Sequence, residues 1–342
     1  MTDPFFDIAI ALTLCFAFVN GFHDGGNVVA ATICSRAMNP WRALFYAAIA
    51  EFIGPVLLGT AVARTMSSCV LRPDMVEEIQ PHVLYIVVSS AMAGAMSWKL
   101  PTWYFGLPSS GSHALIGGLV GAGAVGIGVQ SIMVDKVIRS VLLPLMVSPI
   151  LGVFLGYFLF SVIRRLFSGA PRRIGRSFAV LQRPVMALLA AGHGSNDAQK
   201  SMGVIAIVLS ASAHQVEGDL PIPDWALYSC AAALALGLLA GGWRIVKTVG
   251  RGICKMEPVH AFAAQLSSAV IILGASVFGG PVSATQVVGS SVLGVGASRR
   301  ASGVRWSAAT QIAYAWMLTF PVSMLIGAGF CRLLIHFFAS TN

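Results

Sequence analysis

Charge is scarce in this sequence. Asp, Glu, Lys and Arg make up 10% of its 342 residues, against about 25% in soluble domains. With 56% hydrophobic residues and a mean hydropathy of +0.80, that excludes an ordinary soluble domain. Alternating ten-residue strands are also missing, which removes a transmembrane β-barrel. There is no CxxC pair. The six cysteines (Cys15, Cys34, Cys69, Cys230, Cys254 and Cys331) are scattered, so neither a disulfide framework nor a metal site is expected. They read as small buried hydrophobes. No basic stretch precedes the first apolar run; Asp3 and Asp7 stand there instead. A secretory signal has the opposite pattern, so the segment is expected to be a retained first span.

What the chain has in abundance is apolar runs of spanning length, about 20 residues each. The expected fold is all-α, a polytopic membrane protein. Segments are expected near 3–39 (broken around 21–27), 42–63, 82–98, 103–127 and 138–163. A second set follows near 184–213 (broken around 192–200), 225–243, 258–277, 279–298 and 306–335. The organisation is a membrane repeat over 1–163, a basic linker over 164–183, and a second repeat over 184–342.

The repeat is legible at an offset of 173. Gly21 falls on Gly194, Asp24 on Asp197 and His23 on Asn196. "GLPSSGSH" (106–113) falls on "GGPVSATQ" (279–286), and "GAGA" (121–124) on "GVGA" (294–297). Matches of Asp, Pro, Ser and Gly at one offset are costly by chance, whereas apolar matches are cheap here. Five spans per half is odd, so the second half enters from the opposite side.

The formal charge of +9 could suggest nucleic acid, but its placement argues against that partner. The stretches 36–42, 164–183, 244–257 and 299–305 hold 15 of the 22 Lys and Arg. They are assigned to the cytoplasmic side, against anionic lipid. Both termini and the acidic loops 72–80 and 215–225 then fall outside.

Inverted repeats with interrupted helices mark secondary transporters, with the site near the midplane. "NGFHDGGN" (20–27) and "GHGSNDAQK" (192–200) are read as helix interruptions. The two Pro-Ser/Thr stretches are read as re-entrant-like breaks, each starting a new helix inside the membrane. A helix start offers free N–H donors and partial positive charge, which suits an anion. Intramembrane Asp24, Asp197 and Lys200 are functional by default; a buried Asp197–Lys200 pair holding a helix end is the structural alternative. The carboxylates suit a proton or a co-transported cation, or the O–H of a protonated oxyanion. That favours hydrogen phosphate over fully ionised sulfate. His23, His113, His193 and Glu51 are candidate proton groups or hydrogen-bonded fixtures. Hydroxyls of this kind also serve plain helix packing.

At these motifs the sequence resembles the inorganic phosphate transporter (PiT) family, in its bacterial low-affinity proton-coupled branch. The resemblance rests on "NGFHDGGN", "HGSNDAQK", "PSSGSH" and "PVSATQ", and extends to "GVGASRR" and "VRWSAATQIAYAWMLTFP". It covers nearly the whole chain. It implies uptake of inorganic phosphate across the bacterial inner membrane by alternating access, coupled to protons. No resident cofactor is implied; Mg or another divalent cation enters only as part of a transported metal–phosphate complex. Implied substrate-binding residues are Asp24, Asn27, Ser109, Ser110, Ser112, Asn196, Asp197, Lys200, Ser283 and Thr285. Gln199 matches the branch's second motif. Coupling is assigned to Asp24, Asp197, His23 and Glu51. Phosphate, protons and membrane lipid are the partners, with a homo-oligomer and a cytoplasmic regulator left open. The sequence departs from the family where Gly111 and Ala284 stand, since the breaks usually carry Ser or Thr there. A sulfate or other oxyanion permease is the nearest alternative. An intramembrane hydrolase using Ser110 or Ser112 with His113 is the alternative of another class.

Overall fold

The computed structural model describes residues 4–171, 173–213 and 222–339. Asp3, Arg172 and most of the acidic 215–225 loop lie outside them. Among the described residues the chain is helical throughout, with a single isolated bridge between Leu71 and Ile132. In order the helices are α1 (Pro4–Cys34), α2 (Pro40–Leu58), α3 (Ala61–Ser68), α4 (Pro73–Glu78), α5 (Pro81–Tyr104), α6 (Gly111–Gly126), α7 (Val134–Lys136) and α8 (Leu143–Leu166). Then come α9 (Ile174–Ala213), α10 (Asp224–Ala240), α11 (Trp243–Lys247), α12 (Pro258–Val277), α13 (Ala284–Arg299) and α14 (Trp306–Ala339). A π-helical stretch, Val137–Leu142, joins α7 to α8. Prolines start α2, α4, α5 and α12, where the missing N–H costs nothing.

Among the described residues six helices are long and apolar enough to cross a membrane: Pro4–Cys34, Pro40–Leu58, Pro81–Tyr104, Val134–Leu166, Pro258–Val277 and Trp306–Phe337. The pair α10 and α11 passes only when taken together, bent by 61°. This is fewer than the ten segments expected. Helices α6 and α13 have 16 residues each, about 24 Å at 1.5 Å per residue, which is short of a full crossing.

The helix interruptions expected around 21–27 and 192–200 do not occur. Helix α1 runs unbroken for 31 residues and α9 for 40. The glycines there serve close approach instead. A Cβ on Gly21 would lie 1.9 Å from the Leu234 carbonyl oxygen, and one on Gly194 2.0 Å from that of Glu51. Glycine lets membrane helices touch backbone to backbone. The two Pro-Ser/Thr breaks do occur, as non-helical segments before α6 and α13. They are built alike. Gly106 and Gly279 both take positive φ (69° and 71°). Leu107 N–H bonds Thr102 O, and Gly280 N–H bonds Ala275 O, both at 2.8 Å. Ser110 caps α6 by accepting from His113 N–H, and Ser283 caps α13 by accepting from Gln286 N–H.

The packing interlaces the two halves. Helix α1 packs on α10, α9 on α2, α8 on α13 and α14 on α6. Two large apolar cores result. One gathers α5, α6 and the first part of α1 with Val204–Ala211 of α9. The other gathers α12, α13 and Val28–Ala31 of α1 with Met186–Ala190 of α9. Helices α1 and α9 therefore pass from one core to the other, and each crosses at its polar motif. They run antiparallel: Ser35 bonds Gln182, whereas Asn20 bonds Asp197.

Candidate functional site

Where α1 and α9 cross between the cores, polar side chains meet one another. Asp24 and Asp197 are 1% and 4% exposed. Lys99 Nζ, from α5, donates to Asp24 Oδ2 (3.0 Å) and to Asn20 Oδ1 (2.5 Å). Asn20 Nδ2 in turn donates to Asp197 Oδ2 (2.8 Å). Lys200 Nζ donates to Asp197 Oδ1 (2.5 Å) and to the Val282 carbonyl (2.7 Å). Two carboxylates and two ammoniums thus form one connected chain. A buried ion is tolerated only when paired and hydrogen-bonded, and both conditions hold.

Histidines extend the chain on two sides. His23 Nδ1 lies 2.7 Å from Asp24 Oδ1, and its Nε2 reaches Ser109 Oγ (3.2 Å) and Thr102 Oγ1 (3.3 Å). His193 lies between Glu51, which meets its Nδ1 in a very close contact, and Asp197 Oδ2, 3.3 Å from its Nε2. Glu51 is fully buried. One donor atom each from Asp24, His193 and Asp197 lies within 4.8 Å of the others, a geometry that could hold a metal ion. Both carboxylates are already bound to lysines.

The starts of α6 and α13 face this chain. Thr285 Oγ1 donates to Asp24 Oδ1 (2.9 Å), and Asn27 Nδ2 donates to Thr285 Oγ1 (3.2 Å). Ser112 Oγ donates to the Val282 carbonyl (3.1 Å), which ties one break to the other. Asn196 holds the second break by donating to Gly280 O (3.1 Å) and accepting from Val282 N–H (3.2 Å). Ser110 and Ser283 are helix caps. Gln199 Oε1 accepts from Val62 N–H (2.7 Å) and Ala63 N–H (3.3 Å), so it caps α3. Five buried atoms of the residues named here lack a hydrogen-bond partner among the described residues: Asn27 Oδ1, Glu51 Oε2, His113 Nδ1, His193 Nε2 and Gln286 Oε1. His113 and Gln286 are repeat mates at the third position of α6 and α13.

Sequence reasoning singled out Asp24, Asp197, Lys200 and Thr285, which come together, but missed Lys99, Asn20 and Thr102. The signal for Lys99 was available: a lone lysine in "AMSWKLP", inside an apolar helix, is rarely idle. The hydrolase pairing is not present. Among the described residues His113 Nδ1 has no hydrogen-bond partner, and Ser110 and Ser112 are engaged as described. The order Asp24–His23–Ser109 follows that of a catalytic triad, but Thr102 shares both His23 Nε2 and Ser109 Oγ (2.7 Å).

The phosphate transporter family model matches residues 20–327. A probable low-affinity inorganic phosphate transporter of Rhizobium meliloti (strain 1021) is 40% identical over 320 residues, covering 93% of each chain. One described in the same words from Bacillus subtilis (strain 168) is 38% identical over 323 residues, covering 94% of each. Among solved structures, one described as the sodium-dependent phosphate transporter superposes with a TM-score of 0.86. It is 24% identical, over 97% of this chain and 99% of that one, and shows the fold. A multi-pass helical chain, matched from Asn20 to Gly327 and over nearly the full length of such relatives, is a transporter rather than an enzyme, and it belongs to the phosphate transporter family.

Proposed function

We propose that this chain takes up inorganic phosphate across the bacterial inner membrane, coupled to protons, by alternating access. The observation that carries the reading is the meeting of repeat-mate carboxylates, Asp24 and Asp197, with the starts of α6 and α13 at the crossing of α1 and α9. Helix starts and their hydroxyls supply donors for an oxyanion. A carboxylate close by accepts from the O–H of hydrogen phosphate, which sulfate lacks. Substrate contacts are assigned to Asp24, Asn27, Ser109, Ser112, Asp197, Lys200 and Thr285, with Ser110, Asn196 and Ser283 shaping the breaks. Proton coupling is assigned to the rows Glu51–His193–Asp197 and Ser109–His23–Asp24: hydrogen bonds join the second row and Glu51 to His193, and His193 Nε2 stands 3.3 Å from Asp197 as an ion-pair contact. Histidine suits such a relay because both ring nitrogens exchange protons near neutrality.

The antiparallel run of α1 and α9 supports an inverted pair of repeats. The site is sealed in this structure, with its carboxylates and lysines at most 4% exposed. Opening is assigned to movement of the two apolar cores against each other, with α1 and α9 flexing at their polar motifs. A divalent metal travels only as cargo, in a neutral metal–phosphate complex. With both carboxylates already paired, a neutral complex adds no net charge to the site.

The test is reconstitution in vesicles. Labelled phosphate should accumulate when an inward proton gradient is imposed, and magnesium should raise the rate. Unlabelled arsenate should compete strongly, and sulfate and molybdate weakly. Competition by sulfate equal to that by phosphate would replace this reading with a general oxyanion carrier.

A further inference from the structure

We propose that Lys99 and Lys200 are tethered cations standing where a co-transported alkali cation would otherwise bind, so that this chain moves phosphate without sodium. The proposal rests on the phosphate-transport reading above. Both lysines are buried, at 0% and 2% exposure. Their ammonium groups are held by oxygen: an amide and a carboxylate for Lys99, a carboxylate and a backbone carbonyl for Lys200. Backbone carbonyls freed at a helix break, beside a carboxylate, are the ligands that transporters offer to sodium. The Val282 carbonyl sits in such a break, before α13.

The two lysines are not repeat mates. At the 173 offset Lys99 falls on Ile272 and Lys200 on Asn27. Yet each serves one of two carboxylates that are mates. Equivalent charges have therefore been neutralised from unrelated positions, so the shared feature is the cation position and not the residue that fills it. A covalently attached cation cannot leave with the substrate. The pair keeps the carboxylates compensated in every state and leaves protons as the exchangeable charge.

Gly111 supports the same conclusion. A Cβ there would lie 1.9 Å from Asn20 Oδ1 and 2.9 Å from Lys99 Nζ. A Ser or Thr at this position finds no room while Lys99 and Asn20 hold their places.

The test uses the full chain, purified and reconstituted. Under a fixed proton gradient, initial phosphate uptake should be equal in sodium and in choline media, and labelled sodium should neither bind nor accumulate. Lys99→Ala and Lys200→Ala each leave a carboxylate uncompensated, and uptake in choline should fall about a hundredfold. Sodium or methylammonium should restore much of it. Saturable sodium stimulation of the unmodified chain, or sodium binding that phosphate strengthens, overturns the proposal and leaves phosphate transport standing. If a lysine variant does not insert, the labelled-sodium measurement on the unmodified chain decides alone. Absence of phosphate uptake in every medium would remove the transport reading instead, and sodium binding would still decide the cation question.

Discussion

Asp197 shows how much one side chain carries. It accepts from Asn20 and Lys200 and faces His193. Asp197→Asn leaves the Lys200 ammonium buried without its counter-charge, which costs roughly 3–5 kcal/mol. Phosphate uptake should be lost and the thermal midpoint should fall. Removing both partners of a buried pair is close to neutral. Asp197→Asn with Lys200→Met should therefore recover the midpoint while uptake stays absent. A double variant that regained uptake would show that Asp197 is only a structural partner. Asp24→Asn should behave likewise through Lys99. Glu51 is the sharper probe of coupling. Glu51→Gln keeps the shape beside His193 but removes a proton acceptor. Net uptake driven by a proton gradient should slow, while exchange of labelled for unlabelled phosphate at equal pH should persist. Equal loss of both rates would place Glu51 in substrate binding or folding instead.

At the scale of elements, the outcome turns on why glycine recurs in α1 and α9. Helices that touch at Gly21 and Gly194 leave no space for a methyl group, since the added carbon meets a backbone oxygen at 1.9 or 2.0 Å. Gly21→Ala and Gly194→Ala should each lower the thermal midpoint of the detergent-purified protein and reduce uptake. Ala at Gly274, where a Cβ meets nothing within 4 Å, should leave the midpoint unchanged. The same point explains what the sequence revealed and what it hid. The breaks at Pro108 and Pro281 were legible because proline, glycine and capping serine are local signals. The continuity of α1 and α9 was not, because glycine in a membrane helix marks either a break or a contact, and only the partner helix decides. The Asp24–Asp197 meeting was legible from the repeat. The roles of Lys99 and Asn20 were not, because neither has a counterpart of its own kind at the 173 offset. The interlacing of α8 with α13 and of α14 with α6 left no trace in any single segment.

For the whole molecule, the distribution of arginine and lysine makes a claim that the packing meets from another direction. The four basic stretches are far apart in sequence, yet contacts link them. Ser35 bonds Gln182, Arg164 donates to Ser298 O, Arg299 pairs with Glu257, and Arg305 N–H bonds Ile253 O. Trp41 stacks edge-on with Trp243. Elsewhere, Arg72 N–H bonds Ser131 O and Leu71 pairs with Ile132. The basic stretches therefore share one region, which the positive-inside rule predicts to face the cytoplasm. Single cysteines placed at exposed Ser168 and Ser302 should resist a membrane-impermeant maleimide in intact cells and react once the membrane is opened. One at exposed Lys136 should react in intact cells. Background labelling will be low at Cys69, which burial pushes up to about 12, because the thiolate is the reactive form. Labelling of position 302 in intact cells would reverse the orientation of the whole chain. It would leave the direction of net phosphate movement unchanged, because that direction follows the proton gradient in either orientation.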